Sequence, residues 1–166
     1  MNYIEVPLNF AAKNLEVPRN TIRGWIKRGF IEGKASPKTG ARRFTPEDLL
    51  KMRILFWLRS VWGTPKTSIE PLMENMTKGF KIHSGPSQGA LWLLISLDGK
   101  GLTRNHIIGV NGKKPPNIGF FDDMIKLQGV NLSEMLMIYT EMVKGYREGK
   151  RLLLDSPSQH LVSLAA

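Results

Sequence analysis

Apolar positions recur at helical spacing in several stretches of the chain and run together in one. In "PLNFAAKNL", Phe10, Ala11, Ala12 and Leu15 fall on one side of a short helix with a small-residue face. "EVP" is a tight turn. In "RNTIRGWIKRG", Ile22, Trp25 and Ile26 gather on one face of a second helix, and Gly29 is placed to stop it. Two short helices joined by a three-residue turn make a helix-turn-helix. From Pro46 to about Trp62 a third helix carries Leu50, Ile54, Trp57, Leu58 and Val61 on one face, with Met52, Leu55, Phe56 and Trp62 on another. Such a helix has to be covered on both sides, by the helix-turn-helix and by the C-terminal part or a second subunit. Thr45 is its predicted cap, Pro46 suits the first helical position and Asp48 completes a capping-box analogue.

The stretch "FIEGKASPKTGARRF" lacks helical spacing. Phe30 and Ile31 can begin a strand, "GKASPKTG" is rich in turn formers, and "ARRF" can return as a second strand. This predicts a β-hairpin wing, with Lys34 and Lys38 at its tip and Arg42 and Arg43 on the return strand. On a strand the two arginines alternate faces, so one is free to grip an anion while the other steadies the wing. The pattern does not say which does which.

After a linker, "GTPKTS", the texture changes. "IEPLMENMTKGF" reads as a short helix interrupted at its start by Pro71. "ALWLLISL" is a buried strand, "DGKG" a turn, and "LTRNHIIGV" a returning strand. "NGKKPPNIGFF" is irregular. "LSEMLMIYTEMVKGYREG" is the longest clear helix, capped by Ser133, with Lys150 and Arg151 near its negative end. Leu132, Leu136, Tyr139, Val143 and Tyr146 recur there as on a coiled-coil seam. The tail from Asp155 reads as loose.

Charge sharpens the picture. The formal net charge is +10, and residues 1–66 hold 13 Lys and Arg against 5 Asp and Glu, which is +8 of it. A polyanion-binding leading segment accounts for that asymmetry better than general basicity. On a wheel of about 100° per residue, the second helix turns Asn20, Gly24 and Lys27 away from its apolar face, flanked by Arg23, Thr21 and Arg28. Asn can read adenine and Arg guanine, while Lys and Thr serve bases or phosphates. Gly24 in the middle of that face either lets the backbone settle into a groove or is simply tolerated on an exposed surface.

Other chemistries find little support. The chain has no cysteine, which removes disulfides, thiolate zinc sites and thiol catalysis. No apolar run approaches the roughly 20 residues of a membrane span, and the N-terminus lacks the pattern of a secretion signal. His83, His106 and His160 lack metal-ligand spacing, adjacent Asp122 and Asp123 read as a helix start, and "GVNGKKPP" misses the P-loop spacing. Met135, Met137 and Met142 read as core or subunit interface, with a ligand pocket as the alternative. No catalytic residue, cofactor or metal is expected, and no enzyme activity.

Residues from about Tyr3 to Arg59 resemble the DNA-binding domain of MerR-type regulators through "AAKNLEVPRNTIRGW", "RGFI" and "GARRFTPEDL". The resemblance implies DNA contacts from Thr21, Arg23 and Arg42, with Trp25 and Phe44 as packing or backbone-contact aromatics. Pro18 stands where a capping serine is usual, Gly24 where a tyrosine is common, and Ala41 where an aromatic precedes the wing arginine. The excisionase subgroup matches "RNTIRGWIKRG" almost as well. Beyond residue 66 the resemblance ends.

The expected fold is an N-terminal winged helix-turn-helix over residues 1–63, mostly α with a β-hairpin wing. A small α+β domain follows over residues 64–166 and ends in a long helix. The expected protein is a cytoplasmic, nucleoid-associated homodimer that binds an inverted repeat in double-stranded DNA and regulates transcription in a bacterium, phage or plasmid. Its C-terminal domain dimerises and is open to a small-molecule or protein effector; no membrane is involved. Arg19, Asn20, Thr21, Arg23, Lys27, Arg28, Lys34, Lys38, Arg42 and Arg43 are the expected DNA-binding residues. The alternatives are an architectural DNA binder (an excisionase, packaging or partition factor) and an enzyme with its activity in the second domain.

Overall fold

The computed structural model describes residues 5–60, 66–82, 90–98, 103–110, 124–147 and 161–163. They divide into two compact units, one of Met1–Trp57 with Leu136–Leu154, the other of Leu58–Met135 with Asp155–Ala166.

The first unit opens with strand β1 (Val6–Pro7) and helix α1 (Leu8–Leu15), where Ala11 and Leu15 are buried. α1 ends on Glu16 in the left-handed conformation, and the Val17 amide closes back on the Ala12 carbonyl at 3.1 Å. The chain turns within three residues into α2 (Arg19–Lys27), which buries Ile22 and Trp25 and leaves Ile26 half-buried. Gly29, at φ 76°, ends α2. Its amide donates to the Ile26 carbonyl at 3.0 Å and the Phe30 amide to the Trp25 carbonyl at 3.0 Å, a double closure that needs a left-handed residue between helix and loop.

The wing starts later than its apolar residues indicate. Ile31 is buried in a loop, and the first wing strand is β2 (Lys34–Ala35), pairing antiparallel with β3 (Arg42–Phe44). Ile31 is drawn into the core as a single side chain, and no strand forms at Phe30 and Ile31. Gly33 takes φ 60° just before β2, where a Cβ would lie 2.7 Å from the Phe44 ring, so only glycine fits. β1 adds to the other side of β3, giving a three-stranded sheet in the order β1-β3-β2. Two residues carry too little alternation to announce β1 in advance.

Helix α3 (Pro46–Ser60) begins with a complete capping box. The Asp48 amide donates to Thr45 Oγ1 at 3.2 Å, and the Thr45 amide donates back to Asp48 Oδ2 at 3.0 Å. Leu49, Leu50, Met52, Ile54, Leu55 and Trp57 are all buried within the single chain, as is Arg53. Part of the cover comes from helix α5 (Leu132–Arg147): Arg53 Nε donates to Tyr139 Oη at 3.3 Å, and the Tyr146 and Phe10 rings lie 4.6 Å apart. The α5 seam is therefore an intramolecular face. Its buried residues are Leu132, Met135, Tyr139, Met142 and Val143; Leu136 is only half-buried, and Tyr146 and Met137 are exposed.

In the second unit, α4 (Lys66–Ile82) runs unbroken through Pro71. Ile69, Leu72, Met73, Met76 and Phe80 form a buried stripe that holds the helix despite the missing proline amide. Strand β4 (Ala90–Asp98) is hydrogen-bonded on both sides, to β5 (Thr103–Val110) and to β6 (Met124–Asn131), and with β7 (Leu161–Ser163) the antiparallel order is β5-β4-β6-β7. β6 was not expected: Lys126, Gln128 and Gly129 interrupt its alternation. The tail is a strand at β7 (Leu161–Ser163), paired with β6, where a loose segment was expected. Ser133 is not the cap of α5. Asn131 Oδ1 accepts the Glu134 amide at 3.0 Å, while Ser133 Oγ accepts the Leu91 amide at 2.8 Å. The "DGKG" turn beyond Asp98, "NGKKPPNIGFF", Asp122, Asp123, His83, Lys150, Arg151 and His160 lie outside the described residues. No helix among the described residues is long and apolar enough to cross a membrane.

Candidate nucleic-acid interface

All ten basic and polar residues singled out in the sequence are exposed. They form two groups, and α1 supports both, because it packs against α2 and against β3.

The first group is the outward face of α2. Burial of Ile22 and Trp25 fixes the rotation of the helix, so Asn20, Thr21, Arg23 and Lys27 face solvent. Arg28 is its C-terminal cap residue and is also exposed. Arg23 Nη1 donates to Asn20 Oδ1 at 3.3 Å, and Arg19 Nη1 to Asn9 Oδ1 at 3.2 Å. Each of these two guanidinium groups thus gives one terminal donor to a short amide, out of the five that an arginine carries. Asn9 escaped the sequence reading because nothing in the pattern links α1 to a residue ten positions on. Gly24 lies amid these residues, and a Cβ built there meets nothing within 4 Å.

The second group is the wing, where the structure separates the two arginines. Phe44 points inward and is fully buried, so alternation along β3 sends Arg43 to the opposite, open face. Lys34 lies directly across from Arg43 in the register, which puts two cations side by side on that face. Like charges placed opposite one another destabilise a sheet by a few tenths of a kcal/mol, roughly 0.2–1 kcal/mol. Glu5 relieves part of this, 3.6 Å from Lys34 Nζ, but the lysine side chain stays 74% exposed. Arg42 instead turns its guanidinium back to donate to the Glu32 carbonyl. It tethers the hairpin to the loop before it. Lys34 therefore belongs to a strand, and only Lys38 sits at the tip, within the turn closed by the Ser36 amide on the Ala41 carbonyl at 2.8 Å. Trp25 and Phe44 are core residues, at 5% and 0% exposure.

What this surface can do follows from its chemistry. It offers guanidinium and ammonium donors for phosphate oxygens, and amide and hydroxyl groups short enough to read base edges. Among the described residues no three His, Asp or Glu side chains converge as a metal site would require. Residues 8–76 match the family model described as MerR HTH family regulatory protein, a span from the start of α1 into α4. No curated protein matches the chain.

Proposed function

The chain carries a MerR-type helix-turn-helix DNA-binding domain, and on that premise we propose that it is a sequence-specific regulator of transcription in a bacterium, phage or plasmid. Its target is an inverted repeat in double-stranded DNA, bound by two copies whose α2 helices enter successive major grooves. Asn20, Thr21, Arg23 and Lys27 read bases. Arg19, Arg28, Lys34, Lys38 and Arg43 hold phosphates or the minor groove, and Arg42 keeps the wing in place. The observation that carries this reading is the open wing face, where Lys34 and Arg43 stand opposite each other beside a helix-turn-helix. Two adjacent cations on one small sheet are relieved by a polyanion. Dimerisation, in this reading, uses surface other than the α5 seam, because that seam is filled by its own chain. Effector binding is assigned to the second unit, which carries the four-stranded sheet, and catalysis has no part in the reading.

Selecting bound duplexes from a random-sequence pool tests specificity, symmetry and site length together. The expected result is a compact, palindromic consensus protected as one footprint. A footprint that extends cooperatively without a consensus would replace the regulator with an architectural protein, and no retention of duplex in dilute buffer would end the DNA-binding reading.

A further inference from the structure

Two arginines of α2 each occupy the carboxamide oxygen of an asparagine. Arg23 Nη1 donates to Asn20 Oδ1 at 3.3 Å, one turn back along the helix, and Arg19 Nη1 donates to Asn9 Oδ1 at 3.2 Å. All four residues are exposed, so the core requires neither bond. What the bonds change is the set of groups this surface offers to a partner.

An asparagine reads adenine with both halves of its carboxamide, the oxygen accepting from N6 and the nitrogen donating to N7. With Oδ1 engaged by Arg23, Asn20 is left with the two donors on Nδ2. The second lone pair of that oxygen meets a base amino group only by bringing its N–H against the guanidinium, where donors repel. Arg23 has no acceptor of its own. The two side chains therefore form one donor unit. The rest of α2 shares the bias: the sequence RNTIRGWIK holds no Asp or Glu, and its caps are Pro18 and Arg28. The nearest carboxylate along the chain, Glu16, lies outside the helix, at the end of α1. Thr21 supplies the other side-chain oxygen of α2, and a hydroxyl serves any base.

A surface of donors fits a base edge of acceptors. In the major groove guanine shows two, N7 and O6, whereas adenine and cytosine each show an amino donor that needs an acceptor. We infer that Asn20 and Arg23 act together as a guanine reader, so that the half-site carries guanine, and not adenine, opposite residue 20. The inference rests on the DNA-binding reading proposed above and specifies which bases it selects.

Its test selects duplexes from a random-sequence pool with the full-length wild type, Asn20→Ala and Arg23→Met. The position that residue 20 reads is the one whose preference relaxes in Asn20→Ala, and in the wild type it is guanine. Placing 7-deazaguanine there, which keeps O6 and lacks the N7 acceptor, weakens wild-type binding about tenfold. Arg23→Met frees Oδ1 and leaves an exposed side chain of similar length, so its selected sites carry adenine at that position, with about tenfold lower affinity overall. Adenine opposite residue 20 in the wild-type sites overturns the inference and leaves the DNA-binding reading intact. Guanine retained there by Arg23→Met overturns it as well, because Asn20 would then read independently of the arginine. A wild-type protein that retains no duplex overturns the reading itself, and the inference with it.

Discussion

At the scale of single residues, the adjacent pair Arg42 and Arg43 holds two jobs that the sequence leaves unassigned. Arg42 spends a donor on the Glu32 carbonyl, whereas Arg43 stands beside Lys34 on an open face. The resemblance to the regulator family had put the DNA contact on Arg42, the first of the two. In the reading proposed above that role falls to Arg43, since a guanidinium already tethered has fewer donors to give. Arg43→Ala should weaken binding to all duplex sequences alike and reduce the slope of log affinity against log salt by about 0.9, the value for one phosphate contact. Arg42→Ala should lower stability and loosen the wing with little change of slope. Titrating binding from low to moderate salt separates the two, and a larger slope change for Arg42→Ala would reverse the assignment.

At the scale of elements, the decisive contact joins α3 to α5. Arg53 is only 6% exposed, and its Nε is satisfied by the Tyr139 hydroxyl. Burial pushes the Tyr139 phenol above its ordinary value of 10.0, with the Arg53 charge opposing the shift to a lesser degree. The folded protein therefore holds this proton more tightly than the unfolded chain does. The stability it contributes is whole below pH 10.0 and is lost as pH rises beyond that value. Tyr139→Phe should cost about 1–3 kcal/mol at neutral pH, because a buried guanidinium loses an acceptor. It should also flatten the alkaline decline, visible as a difference between wild-type and variant urea midpoints that narrows above pH 10.0. A difference that stays constant with pH would mean that the phenol has the same pKa in the folded and the unfolded states. The same contact explains the α5 pattern. Its apolar repeat has the period of a coiled-coil seam, but a single-chain core demands the same period.

At the scale of the whole molecule, the unit that carries the candidate interface is not continuous in sequence. Leu136–Leu154 belongs with Met1–Trp57, so α5 completes a core begun more than a hundred residues earlier. A fragment of residues 1–63 should consequently unfold at lower urea than the full chain and bind an apolar dye. The loss should be ~1.5–3 kcal/mol for each large apolar side chain uncovered. Adding residues 132–150 as a separate peptide should restore part of the difference. A fragment as stable as the whole chain would show that α5 is dispensable to this core.

What the sequence determined by itself was local. The α1–turn–α2 unit, the Thr45 and Asp48 capping box, the Gly29 stop and the outward face of α2 all depend on residues within about a turn of each other, where spacing and side-chain type suffice. The wing was legible as a hairpin but not in its ends, because Ile31 is buried as one side chain and β1 is two residues long. Only the tertiary structure decided which arginine faces outward, that Asn9 props Arg19, that β6 and β7 complete a sheet, and that the α5 seam is filled from within the chain. Each of these depends on a partner distant in sequence, and periodicity records that a face must be buried without recording what buries it.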